Sequence, residues 1–182
     1  VIISVIAGLR RINRFIALLV GLALIACVAL ILIDISLRQL GISFGGSDEI
    51  SGYVMAGIAS WGVSYTLTEL AHVRIDLIRV RLRPLGKAIL DLIAIVALAG
   101  TAIVIAFEAW PVLQKTIAHH ALANTSLATP LWIPQSIWFA GWVWFALSSS
   151  LLVLLTVVLM MKGDLRQADS LVGARTEMEL EL

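Results

Sequence analysis

The side chains that could do chemistry here are few, and they sit at the margins of long apolar runs. The chain has three histidines and one cysteine among 182 residues. On a helix, His119 and His120 would point about 100° apart. No cysteine or carboxylate stands at ligand spacing around them, so they read as solvated imidazoles and not as a metal site. Axial haem ligation needs a histidine inside an apolar run, and His72, His119 and His120 all fall in connections. Cys27 lies within an apolar run and reads as a small buried hydrophobe. No nucleophile–base pairing and no phosphate-cradling glycine loop is present. The expectation is a protein that is not an enzyme, with no catalytic residue, no bound metal and no cofactor.

A proton relay or solute site inside a membrane requires an ionisable residue deep in the bilayer. None occupies the middle of an apolar run: Asp34, Asp91 and Glu108 all stand at ends. Asp91 is expected to stay wet or to pair with a nearby arginine. Ser148-Ser149-Ser150 reads as intrahelical hydrogen bonding or helix packing.

The elements that hold these residues follow from composition. Sixty per cent of the residues are hydrophobic and only 14% charged, and the mean hydropathy is +1.01. That balance belongs to a membrane protein. The net charge of +1 argues against nucleic acid as a partner. Four apolar runs predict spans at 15–33, 50–67, 88–107 and 137–161. The first would measure about 28 Å as a helix, near the thickness of the hydrocarbon core. The fourth is long enough to require tilt. Residues 110–123 are expected to continue the third helix, and Trp132, Trp138 and Trp142 suit an aromatic belt. Residues 164–182 read as a cytoplasmic tail.

The sharpest polar stretch runs from His72 to Lys87. It holds four arginines, a lysine and a histidine within 16 residues. Arginine costs about 2.5–3.5 kcal/mol at a helix centre on insertion scales, so this stretch stays out of the lipid. A short helix at 76–83 could lie on the membrane surface there. With four spans, eleven of the thirteen lysines and arginines fall on one side; only Arg38 and Lys115 fall on the other. The positive-inside rule then puts both termini and the basic connection in the cytoplasm. The predicted fold is an all-α membrane protein with four transmembrane helices and short interfacial helices in the connections.

Candidate contacts to a partner subunit or to lipid headgroups are Asp48, Glu49, His72, Arg74, Asp76, Arg79, Arg81 and Arg83. Asp48 and Glu49 also suit the start of a helix, where Ser47 or Asp48 can cap free amides. Gly52, Ala56, Ser60 and Ser64 recur every four residues. Such a small-residue stripe lets another helix backbone come close.

Three segments resemble the small membrane subunit of tripartite ATP-independent periplasmic (TRAP) transporters, the DctQ-like family. They are Gly46-Ser47-Asp48-Glu49-Ile50, Ala71-His72-Val73-Arg74-Ile75-Asp76 and Ser126-Leu127-Ala128-Thr129-Pro130-Leu131-Trp132-Ile133-Pro134. The segment at 71–76 is similar to that family's His-hydrophobic-Arg-hydrophobic-Asp signature. The chain departs from the pattern just before it, where Thr66-Leu67-Thr68-Glu69 replaces basic residues. The resemblance implies a scaffold that packs against a large multi-span subunit. That partner would move a small carboxylate, delivered by a periplasmic binding protein, elevator-fashion on a sodium gradient. Sodium would be bound by the partner, and phospholipid would surround this chain. Two other classes fit the residues alone: a self-sufficient small homo-oligomeric transporter, and a membrane anchor for a redox enzyme.

Overall fold

The structure is a computed structural model that describes residues 2–42, 45–70 and 81–173. His72, Arg74, Asp76 and Arg79, together with the surface helix expected at 76–83 up to residue 80, lie outside the described residues. The described chain is helical: α1 (Ile2–Gln39), α2 (Ser47–Thr68), α3 (Pro84–Ala118), α4 (Trp132–Met161) and α5 (Leu165–Val172). Three of these, α1, α3 and α4, are long and apolar enough to cross a membrane. The second, at 22 residues, is diluted by Gly52, Gly57, Ser60, Gly62 and Ser64 and falls short of that apolarity. The small residues that let it pack closely are the ones that lower its hydropathy.

The principal packing runs α1 on α2, α2 on α4 and α4 on α3. The helices therefore form a row with α2 and α4 inside and α1 and α3 at the edges. Edge position explains the many bare apolar side chains on α1, such as Phe15, Leu18, Leu22 and Ile25. In water these would be a liability, whereas a lipid-facing helix should carry them. Ile95, Ala102, Phe145, Leu152 and Leu159 make the packed centre.

The structure departs from the sequence-based expectation in four places. The first helix begins at Ile2, so Arg10, Arg11 and Arg14 ride on a continuous helix and do not precede one. Trp132 already opens α4, with Pro134 in its first turn; proline is tolerated there because the first amides have no intrahelical acceptor. The third helix runs through Pro111 and stops at Ala118, where His119 caps it and His120 turns left-handed (φ 47°). Asp91, expected to stay wet or to pair with a nearby arginine, is 3% exposed, which removes the wet alternative only.

The tail also gains structure. Leu165–Val172 is a helix capped by Asp164, whose side chain accepts from the Gln167 amide at 3.1 Å. Ala168, Leu171 and Val172 are buried, and α5 packs on α3 and α4. Three apolar residues on one face of eight give α5 a side that must be covered.

Candidate functional site

Among the described residues, polar groups concentrate at three joints between helices. The first joins α1 to α2. Asp34, 3% exposed, receives the Arg38 guanidinium at 2.7 Å from the next turn of its own helix. The Ser47 hydroxyl donates to the same carboxylate oxygen at 2.7 Å. Arg38 also reaches the Ser47 hydroxyl at 3.4 Å and Asp48 at 3.8 Å. Ser47 is therefore spent on α1 and does not cap its own helix. The N-cap is Gly46, with no side-chain cap hydrogen bond. That overturns the expected cap role for Ser47 or Asp48. Asp48 itself is exposed.

The second joint fastens the start of α2 to the connection between α3 and α4. Gly46 has φ 147°, and a Cβ there would stand 2.7 Å from the Leu127 side chain; only glycine combines that backbone with that contact. The Ser126 hydroxyl donates to the Gly45 carbonyl at 2.9 Å. Glu49 takes the Tyr53 hydroxyl at 2.7 Å. The Thr125 and Thr129 hydroxyls and the Leu127 backbone lie near its carboxylate, whose Oε2 is buried without a closed hydrogen bond. Hydrogen bonding, first of all from Thr125, holds the Glu49 pKa at about 2, against 4.5 ordinarily. A carboxylate whose folded pKa is depressed stabilises the fold above its unfolded pKa and loses that contribution as pH falls through the folded value. The melting temperature of the detergent-solubilised chain should therefore drop between pH 4.5 and about 2. Glu49→Gln should flatten the profile across that window, and an unchanged slope would show that the carboxylate does not clamp the loop.

The third joint ties three helices at one side chain. Asn13, fully buried, donates from Nδ2 to the Ser64 carbonyl at 2.9 Å and to the Thr68 hydroxyl at 3.2 Å. Its Oδ1 accepts from the Trp144 indole at 2.8 Å. One amide thus links α1, α2 and α4. Sequence reasoning missed it. The available signal was a lone amide inside the Arg10–Arg14 cluster, where it passes for one more solvated polar residue. Beside it Arg14 lies 3.7 Å from Glu69.

The small-residue stripe divides. Ser60 and Ser64 are fully buried. A Cβ on Gly141 of α4 would meet the Ser60 hydroxyl at 2.5 Å and its carbonyl carbon at 3.0 Å, so the two backbones touch there. Ala56 is half-buried. Gly52 is exposed, with nothing within 4 Å of a Cβ placed on it. Arg81 and Arg83 are exposed near the start of α3, with Arg83 as its N-cap.

Between α1, α2 and the start of α4 lies an open groove of about 610 Å³. Phe15, Leu19, Tyr53, Trp61, Ile133 and Ile137 are among its walls. It suits hydrocarbon and offers nothing to neutralise a charged solute. Among the described residues no group of three or more His, Cys, Asp or Glu side chains could hold a metal ion.

Joints that lock helices together, with small residues left open on one face, suit a subunit that packs against others. The family model described as "Tripartite ATP-independent periplasmic transporters, DctQ component" matches residues 27–159. The chain belongs to the DctQ family. It is thus a small membrane component of a TRAP transporter, which is a transporter family and not an enzyme family. Membership implies association with a large membrane subunit and a periplasmic binding protein, and with apolar helices it suggests the inner membrane. No curated protein and no solved structure matches the chain. Two of the three segments that carry the resemblance meet in space in this DctQ component: 46–50 and 126–134 form the second joint. The third, around His72, lies outside the described residues.

Proposed function

We propose that this DctQ subunit is the stationary scaffold of a sodium-coupled TRAP transporter for a small carboxylate. The family match over 27–159 carries that reading. The large subunit binds sodium and solute and moves elevator-fashion; this chain packs against it and binds neither. All four helices α1–α4 cross the bilayer, with α2 shielded by its neighbours, and both termini are cytoplasmic. The one-sided distribution of lysine and arginine supports that orientation. The open end of the α2 stripe, exposed at Gly52 and half-buried at Ala56, meets a helix of the large subunit, and phospholipid fills the apolar groove.

Gly52→Leu tests the contact. A Cβ there has no described atom within 4 Å, so the chain's own melting temperature should hold. Recovery of the large subunit in a mild-detergent pull-down should fall severalfold. Unchanged recovery would remove the stripe from the interface. Sodium-driven uptake by proteoliposomes holding this chain alone would overturn the scaffold role altogether.

A further inference from the structure

We infer that the four-helix row stands obliquely in the bilayer, tilted on the order of 40° within the plane of the row, so that residues level along the helices lie at different depths. The inference rests on the four-span reading proposed above.

Two independent observations carry it. The first is length. The 30 residues of α4 contain no charged side chain, and at 1.5 Å per residue they run about 45 Å. The 137–161 run assigned to the core is about 37 Å long, and fitting it into a core of about 30 Å requires a tilt near 37°.

The second is register. Asp34 opposite Ser47 and Asn13 opposite Ser64 fix α1 against α2. Gly46 against Leu127 and Ser60 against Gly141 fix α2 against α4. The Leu122–Pro130 bridge and the Trp110–Phe139 ring contact, with centroids 5.5 Å apart, fix α3 against α4. Through these pairs each charge-free run can be carried onto α4. The 15–33 run of α1 lies opposite about 127–145, and the 50–68 run of α2 opposite about 130–148, given near-parallel packing. The 88–107 run of α3 lies opposite about 142–161 on the same footing. The apolar bands therefore climb from α1 to α3 by about 23 Å across three helix spacings of 8–10 Å each, most of it between α2 and α4.

An upright row gives all four helices one common depth. It would carry Arg10, Arg11 and Arg14 of α1 and Glu108 of α3 to within a few residues of the midplane, where charge is most costly. Inclining the row brings every band into one slab and returns these charges to the surfaces.

Depth measurement on the full chain in lipid nanodiscs decides the matter. Nitroxides are attached at single cysteines in a Cys27→Ala background, replacing Ile25, Val112, Ile3 or Ile93. All four are exposed, at 67%, 52%, 71% and 60%. Ile25 is level with Val112, and Ile3 with Ile93. Expected are oxygen accessibility at Ile25 and Ile93 and chelated-nickel accessibility at Val112 and Ile3. The separation in depth within each pair should be roughly 15–20 Å. Equal depths within each pair would overturn the tilt and leave the spans standing. Four labels all in water would overturn the spans as well. Polarised infrared dichroism of the unlabelled chain in aligned bilayers gives another reading, free of substitution. A mean helix tilt near 40° is expected, and one below about 20° would overturn the inference.

Discussion

Gly141→Leu is expected to be the most damaging single substitution in this chain. The α2 and α4 backbones touch at this point. The first atom of any side chain at 141 would already stand 2.5 Å from the Ser60 hydroxyl, 2.8 Å from its Cβ and 3.0 Å from its carbonyl carbon. A rotamer change at Ser60 relieves the first contact but not the third, because the third is backbone. The helices must separate, and α4 is the element against which both α2 and α3 pack. Overpacking of this kind typically costs about 1–3 kcal/mol and sometimes more; the backbone contact places this case at or above about 3 kcal/mol. Thermal melting in mild detergent checks it. Gly62→Leu, on α2 with nothing within 4 Å of its Cβ, is the control and should melt close to the native chain. Equal melting of Gly141→Leu and the native chain would show that α2 and α4 do not meet at Ser60.

Asn13→Leu is expected to follow. It removes three hydrogen bonds at once, to the Ser64 carbonyl, the Thr68 hydroxyl and the Trp144 indole. It also leaves the indole N–H without its acceptor in a region away from bulk water. Hydrogen bonds between membrane helices average about 0.6 kcal/mol, and an orphaned donor adds to that. The expected loss is about 1–3 kcal/mol. Because the residue acts as a node, the loss should be non-additive. Trp144→Phe removes the indole donor, so Asn13→Leu should cost less in that background than in the native one. Strict additivity of the two substitutions would mean that the node is three independent contacts and not a latch.

Both residues are hidden in the sequence for the same physical reason. Gly141 sits in an apolar run where glycine can mean a close approach or nothing, and only the position of Ser60 on another helix gives it meaning. Asn13 sits among arginines, where burial is the last expectation. The Glu49 clamp is half visible: an acidic residue opens α2, and a hydroxyl-rich segment precedes α4, but nothing in either segment says that they meet.

The class of molecule and the lie of its apolar runs are legible from residue order alone. Hydrophobicity over twenty residues is a local property, and so is the distribution of arginine; neither depends on which helix packs where. The motifs at 46–50 and 126–134 likewise carry the family resemblance without any knowledge of their contact. Helix length is less legible. The α1 and α3 helices continue past the charges that bound their apolar runs, because a charged residue ends a hydrocarbon segment without ending a helix. Three features emerge solely from the packed molecule: the helices form a row, the stripe is buried at Ser60 and Ser64 but open at Gly52, and Asp91 is covered. Those outcomes depend on the register between helices far apart in the chain. Register is set by a handful of close contacts whose partners are not neighbours in sequence.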